Sequence, residues 1–466
     1  MIRALYSLAL FLLQPLMRAK LRRRARGEPG YAVAGGERFG DYGGVPAVTG
    51  GRSGFIWVHA VSLGETRAAA ILIAHLRLSQ PGMRLLLTHG TATGRAEGAA
   101  LLQSGDVQVW QPWDTPAAVG KFLATFKPRI GILMETEVWP NLVAACQRRG
   151  IPLVLANARM SEKSLQQSLR LAWLARPAYR ALTAVWAQTA ADAQRLEQLG
   201  APVAGVFGNL KFDAAPQAAQ LALGQAWRAL LARPVILLAS SREGEEAALL
   251  QLLKEKGANA VREYTNIAIN NIANQNPNQV QWLIVPRHPQ RFDAVAALID
   301  GAGFTVSRRS AWISELGSDV GGDKGSAPPL AATDQGAGTT VWLGDTLGEM
   351  SLYYGLAAVA LLGGSFEPLG GQNLIEAAAC GCPLVMGPHT FNFAEVAKLA
   401  QAAGAAFRAP GLADALDQAL ALAGEPAQLQ TARVAAQNFS QAHRGATGKL
   451  VQAIDALLAQ ISDAKQ

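Results

Sequence analysis

Apolar residues along this chain come in short runs separated by polar, glycine-containing turns, and the order of the runs predicts a fold. Phe55 to Val61 is a largely apolar run that ends in Ser62-Leu63-Gly64. A run this short reads as a buried strand, and the small polar turn after it opens a helix. The same pattern recurs at Arg84 to Thr88 before Gly90-Thr91, at Arg129 to Met134 before Glu135-Thr136, and at Ile151 to Ala156 before Asn157. Ala184 to Gln188 then precedes the helical Asp192 to Leu199, and Val203 to Phe207 leads into Gly208-Asn209. Such alternation predicts βαβ units on a parallel sheet. A second series begins at Val235 to Ala239 and continues through Trp282 to Pro286, Thr340 to Leu343, Ala358 to Leu362 and Pro383 to Met386. Two parallel-sheet domains follow, with the junction near Asp213 to Gln225. The division expected is residues 1–26 as an apolar helix with a basic tail, 27–218 as a first domain and 219–466 as a second. A chain of 466 residues exceeds what one core supports, which agrees with that division. Asn266 to Asn278 is crowded with asparagine, and Gly317 to Gly338 with Gly, Ser, Asp and Pro. Both read as solvated insertions on loops.

Composition sharpens the picture at the N-terminus. Half of the residues are apolar and 16% are charged, which excludes a disordered chain. Much of the +8 net charge is concentrated at Arg18, Lys20, Arg22, Arg23, Arg24 and Arg26, directly after the apolar stretch Ala4 to Met17. That stretch is about 14 residues, or roughly 21 Å of helix against roughly 30 Å of hydrocarbon, and Gln14-Pro15 interrupts it. It is short for a span. A small-residue cleavage site is missing, so a membrane anchor is expected that lies in, or barely crosses, the bilayer, with the basic cluster among anionic head groups on the cytoplasmic side. The three cysteines lack metal-site spacing, and neither a metal nor a cofactor is expected. A nucleic-acid role is disfavoured because the basic cluster abuts an apolar anchor and no aromatic-basic interleaving follows it.

The candidate chemistry sits at predicted strand ends, where an open α/β sheet binds its ligands, facing a cleft between the two domains. In Ser62-Leu63-Gly64-Glu65, a carboxylate at a helix start could serve as a general base or merely complement the helix dipole. Glu135 and Glu137 lie at the mouth of the same sheet. In the second domain, Ser241 and Arg242 follow a strand and open a helix, and Arg287 and His288 follow another; both suit a phosphate or carboxylate. Gly363-Gly364-Ser365 lets backbone approach a bound group. Asn373 and Glu376 share one helix face, where the carboxylate could accept the hydroxyls of a ribose.

Taken in order, these segments resemble the 3-deoxy-D-manno-octulosonic acid (Kdo) transferases of lipopolysaccharide synthesis. The matching stretches include Glu37-Arg38-Phe39-Gly40, His59 to Glu65, Glu135 to Asn141, Gly208 to Asp213, Gly244-Glu245-Glu246, Pro286 to Pro289, Gly344 to Met350 and the Gly363 to Glu376 run. The resemblance implies a GT-B fold, an acceptor-binding N-terminal half, a C-terminal half that binds CMP-Kdo, and inverting transfer to a lipid A precursor (lipid IVA) without a catalytic metal. It puts Glu65 at the position of the base, and Arg287, Glu349, Met350, Asn373 and Glu376 in donor-binding motifs. Members often carry a Thr-His pair where this chain has Ser241-Arg242. The departing CMP and the Kdo carboxylate call for cations, of which Arg287 and Lys211 are the leading candidates. The implied location is the cytoplasmic face of the bacterial inner membrane. Two other classes stay open at this point: a GT-B enzyme of UDP-hexoses, transferase or epimerase, and a non-catalytic nucleotide-binding protein at the membrane surface. Acids at the strand ends speak against the last, because binding an anion gives no reason to place them there.

Overall fold

The computed structural model describes residues 2–45, 54–264, 280–312 and 340–463. The expected insertions at 266–278 and 317–338 lie outside the described residues, as does the end of the glycine-rich connector. The chain forms two compact units, Met1–Asp213 together with His443–Gln466, and Ala214–Ala442.

The first unit runs α1 (Ile2–Gly27), β1 (Ile56–His59), α2 (Leu63–Ser79), β2 (Leu85–His89), α3 (Ala92–Ala99), β3 (Val107–Trp110), α4 (Pro116–Phe126), β4 (Ile130–Met134), α5 (Pro140–Arg148), β5 (Leu153–Ala158), α6 (Glu162–Arg170), α7 (Ala172–Arg180), β6 (Ala184–Ala187), α8 (Ala190–Gln198) and β7 (Val203–Val206). Its strands make one parallel sheet in the order β3-β2-β1-β4-β5-β6-β7. Helices cover both faces, so successive residues of one strand enter opposite cores. Ile56 and Val58 pack with Leu72, Ile73 and Leu76 of α2, while Phe55 and Trp57 pack with Phe122 and Phe126 of α4. Burial on both sides explains why these strands read as continuous apolar runs rather than alternating ones.

The second unit carries α9 (Ala218–Leu230), β8 (Val235–Ser241), α10 (Glu245–Tyr264), β9 (Gln281–Pro286), α11 (Phe292–Gly301), β10 (Thr305–Arg308), β11 (Thr340–Leu343), α12 (Met350–Leu356), β12 (Val359–Leu362), α13 (Leu374–Ala379), β13 (Leu384–Met386), α14 (Ala394–Ala402), β14 (Ala406–Arg408), α15 (Leu412–Gly424) and α16 (Pro426–Ala442). Its sheet is again parallel, in the order β10-β11-β9-β8-β12-β13-β14.

The last helix, α17 (Ala446–Asp463), corrects the division read from sequence, which gave all of 219–466 to the second domain. Ala446, Leu450, Ile454 and Leu458 recur every fourth residue and join the core of Ile56, Val58 and α2 on the first sheet. Asp213 holds the start of α17, accepting the Gly445 and Thr447 N–H groups and the Thr447 hydroxyl, each at 2.6 Å. An acid at a helix N-terminus is favoured by orphan N–H donors and the dipole alike.

The N-terminal helix also departs from expectation, since α1 continues through Pro15 without a break. Pro15 has no N–H to give the carbonyl of Phe11, and both residues are exposed. Tyr6, Ser7, Leu10, Gln14, Met17, Leu21 and Ala25 are the half-buried positions, at helical spacing, and they form the side turned to the first unit. Tyr6 donates to Asp114 at 3.1 Å, Ser7 bonds Asn141, and the Arg18 and Arg24 guanidinium groups stack on Phe39 and Tyr31. Leu5, Leu8, Leu12 and Leu16 point the other way and are 54–67% exposed. No helix among the described residues is long and apolar enough to cross a membrane.

Candidate functional site

In the first sheet the strand order reverses between β1 and β4, which are neighbours. A doubly wound sheet binds ligands outside the carboxyl ends of such a pair. The three acids singled out in the sequence follow these two strands.

Glu65 stands in the first turn of α2 and takes part in its cap. Ser62 Oγ accepts the Glu65 N–H, while the Glu65 carboxylate accepts the Val61 N–H at 2.8 Å and the Ser62 hydroxyl at 3.1 Å. The reciprocal pattern resembles a capping box and fixes the side chain. Burial, then the negative charges of Glu135 and Glu137, push the Glu65 carboxyl up to about 7 despite these bonds. Glu135 takes the first position after β4 in the left-handed region, at φ 59°. That conformation costs a non-glycine residue about 1–2 kcal/mol, and it turns the chain sharply at the sheet edge. Lys211 Nζ lies 3.3 Å from Glu135 Oε1. Burial raises the Glu137 carboxyl as well.

The turn after β2 is built into the scaffold. Thr88 Oγ1 receives Trp57 Nε1 at 2.8 Å and meets His59 Nδ1 at 2.9 Å, and Thr91 caps α3. Burial drives His59 down to about 3 and His89 to about 4, so both imidazoles are neutral. The buried Arg38 stacks on Trp110 and donates to the Gly90 carbonyl at 2.9 Å, which ties the Glu37-Arg38 motif to this turn.

In the second sheet the order reverses between β8 and β12, and the remaining candidates follow β8, β9, β11 and β12. Ser241 is fully buried, with its hydroxyl given to Glu246 at 2.7 Å. Glu246 is also held by Arg291 through two bonds of 2.6 and 3.1 Å. Glu245 accepts the N–H groups of Arg242, Gly364 and Phe366 at 2.8–3.2 Å, and so carries the glycine turn on a buried carboxylate. A Cβ on Gly363 would meet the Ser240 carbonyl oxygen at 2.4 Å, and Gly364 has φ 69°. Gly363 is therefore demanded by the close approach of the chain after β12 to β8, and Gly364 by its left-handed backbone. Ser365 is buried, donating to the Leu362 carbonyl and accepting the Gly387 N–H.

Arg287 and His288 follow β9 and are half-buried. The His288 imidazole is pushed down, first by desolvation and then by the charges of Arg242, Arg287 and Arg291, against the opposing charge of Glu243. Arg242 is itself paired with the exposed Glu243 at 3.2 Å. Glu349 precedes α12, whose first residue is Met350; it pairs with Arg309 at 2.9 Å and bonds Thr346. Asn373 caps α13, accepting the Ile375 N–H, and Glu376 is exposed one turn later. The Glu376 and Arg287 charges both act on the buried Tyr354.

Two clusters are thus assembled, one in each unit. The acids Glu65, Glu135 and Glu137 with Lys211 belong to the first, and Arg242, Arg287, His288 and the glycine turn to the second. Lys211, expected among the donor's cations, stands with the acids. Sequence reasoning missed the roles of Glu245, Glu246, Arg291, Arg309, Arg38 and Asp114. Arg309 meets Glu349 across 40 positions of chain, so no local spacing could reveal the pair.

Residues 34–214 match the family model described as 3-deoxy-D-manno-octulosonic-acid transferase (kdotransferase). A 3-deoxy-D-manno-octulosonic acid transferase of Bordetella pertussis is 46% identical over 460 residues, covering 97% of this chain and 99% of its own. The enzyme of the same name from Haemophilus influenzae is 30% identical over 424 residues, 90% of either chain. Among solved structures, a glycosyltransferase from Rickettsia africae matches 88% of this chain and 98% of its own, with a TM-score of 0.50 at 12% identity. That likeness concerns the fold, the two Rossmann-like domains of GT-B glycosyltransferases.

Proposed function

Since the chain belongs to the Kdo transferase family of glycosyltransferases, we propose that it transfers Kdo from CMP-Kdo to a lipid A precursor, lipid IVA, in lipopolysaccharide biosynthesis. The observation that carries the mechanism is the group of acids after β1 and β4, with the Glu65 carboxyl raised to about 7. A carboxylate whose pKa lies near the operating pH is matched to taking a proton from an acceptor hydroxyl. In this reading Glu65 removes that proton as the acceptor oxygen attacks the anomeric carbon of Kdo. The bond from that carbon to the phosphate oxygen breaks, and CMP departs with the electron pair, inverting the centre.

The leaving phosphate and the Kdo carboxylate both need positive charge. Arg242, Arg287 and Arg291 around His288 supply it in the second unit, and no step is routed through a metal. Ser241, Gly363, Gly364 and Ser365 shape the backbone on which the donor rests, while Glu376 and Asn373 serve the ribose and Glu349 with Met350 bound the same edge. In the first unit, Lys211 pairs with Glu135, an acid of the same cluster as Glu65. The test is incubation with CMP-Kdo and lipid IVA followed by mass analysis of the glycolipid. A mass increase of one or more Kdo units is expected. An unchanged glycolipid, with turnover of UDP-sugars instead, would replace this reading with the UDP-hexose one.

We further propose that α1 attaches the protein to the cytoplasmic face of the bacterial inner membrane, lying in the interface rather than spanning it. Its inner side is engaged by Asp114, Asn141, Phe39 and Tyr31, while Leu5, Leu8, Leu12 and Leu16 face outward and the basic cluster follows. An amphipathic helix of this kind sinks its apolar side into the acyl boundary and pairs its cations with anionic lipid. Replacing Leu8 and Leu12 by Glu leaves the inner contacts untouched. It should lower partitioning onto anionic vesicles by at least about tenfold, because each fully buried leucine contributes about 1.5–3 kcal/mol. Unchanged co-sedimentation would move the attachment elsewhere on the molecule.

A further inference from the structure

The first unit contains a pocket of about 410 Å³ that the acid cluster and the donor residues do not use. Its walls come from three places: Tyr6 of α1, the segment after β4 at Thr136, Val138 and Trp139, and α6 and α7 with the residues flanking α6, at Met160, Ser164, Leu171 and Leu174. None of its lining residues carries a charge. Leu171, at its rim, and the neighbouring Trp173 are each half exposed, in a region where α7 otherwise turns arginines to solvent.

Two continuities indicate what such a pocket holds. Thr136 and Val138 flank Glu137, so one wall is the acidic motif itself. Tyr6, another lining residue, sits on the inner side of α1, next in sequence to Leu5 and two residues before Leu8 of its outward apolar face. An uncharged, largely apolar cavity of this size suits a flexible hydrocarbon and rejects a phosphate or nucleotide, which would lose its hydration without gaining a cation. We infer that the pocket takes one acyl chain of the glycolipid acceptor, led from the bilayer along α1, and so holds the sugar head beside the acids. The inference rests on the proposed glycolipid acceptor. It adds a subsite that selects acylated over deacylated acceptor.

The experiment compares lipid IVA with its fully deacylated phosphorylated sugar as acceptors for full-length protein, using the parent, Leu171→Glu and Ala175→Trp. Leu171 is half exposed, so a charge there reaches the pocket mouth without entering the core, whereas Ala175→Trp fills the cavity. Thermal melting reports folding of each. The parent should prefer lipid IVA in kcat/KM, and each variant should cut that preference by about tenfold, the cost of one lost apolar contact of about 1.4 kcal/mol. The loss should appear in KM rather than kcat. A fluorescent long-chain fatty acid should bind the parent, be displaced by lipid IVA and bind both variants more weakly. A preference that survives in both folded variants, with fatty-acid binding unchanged, overturns the acyl subsite while leaving the proposed reaction standing. Failure of the parent to glycosylate either acceptor removes the proposed reaction, and the assignment of the pocket with it.

Discussion

Glu65→Gln should nearly abolish Kdo transfer while the protein folds normally and binds CMP-Kdo unchanged. Glutamine retains the oxygen that accepts the Val61 N–H, and Ser62 can accept from the new amide, so the cap of α2 survives with a loss of a few tenths of a kcal/mol. It cannot take a proton. Loss of a positioned general base removes a factor of roughly 10² to 10⁴ in rate. Single-turnover transfer should be measured beside Glu135→Gln and Glu137→Gln, with donor binding and melting as controls. If Glu65→Gln reacts within about threefold of the parent while Glu135→Gln is inactive, the base belongs to the second acidic motif, since base loss should cost far more.

The same residue links activity to stability with opposite signs. The folded-state pKa of Glu65 is raised above its ordinary value, to about 7. Its protonated form therefore favours the folded state, and that contribution is complete below the unfolded carboxyl pKa and lost as pH rises through about 7. Asp114, raised to about 6 by burial against the hydrogen bonds of Asn141, Leu142 and Tyr6, acts in the same sense over a lower window. The parent should thus gain kcat/KM as pH rises through about 7 while losing stability. Glu65→Gln should lose the upper part of that stability slope and keep the part due to Asp114.

Much of the fold is legible because both sheets are buried on both faces. Runs such as Arg129 to Met134 and Val235 to Ala239 carry their own signal. The strands the sequence did not reveal are β3, β10 and β14, which are short edge strands; Val107, Gln108 and Val306 to Arg308 are only partly buried and Thr305 is exposed. An edge strand needs no unbroken apolar run. The return of α17 was illegible for another reason. Its apolar stripe at Ala446, Leu450, Ile454 and Leu458 specifies a buried face but not which sheet it covers. Asp213, more than 200 positions earlier, completes the answer.

The candidate acids were legible as strand-end residues because β1 and β4 end beside one another. Their environment was not legible. Nothing in Ser62-Leu63-Gly64-Glu65 says that its carboxyl is buried near two others, nor that Ser241 and Ser365 turn their hydroxyls inward. In the second unit the residues that hold the site are two consecutive acids, Glu245 and Glu246, which read in sequence as an ordinary acidic helix start. One carries the glycine turn and the other is locked to Arg291.

That lock supplies the second large effect. Arg291→Met should destabilise the second unit by about 3 kcal/mol, the lower end of the usual cost of stripping one partner from a buried ion pair. Glu246 has no exposed surface in its side chain, whereas the guanidinium is 16% exposed, so solvent moderates the loss. What remains, among the described residues, is a buried carboxylate with the Ser241 hydroxyl against it. For a unit of this size the melting transition should fall by roughly 6–12 °C. Glu246→Met combined with Arg291→Met removes both charges and should recover most of the loss, because a buried pair contributes little beyond an apolar pair of similar shape. Donor affinity should not recover with it, since Arg291 also contributes to the positive field around His288. Calorimetric unfolding and CMP-Kdo titration of the two variants separate the effects. A single variant that melts with the parent would mean that Glu246 is satisfied without Arg291, and equal donor affinity in parent and double variant would remove Arg291 from the anion-binding group.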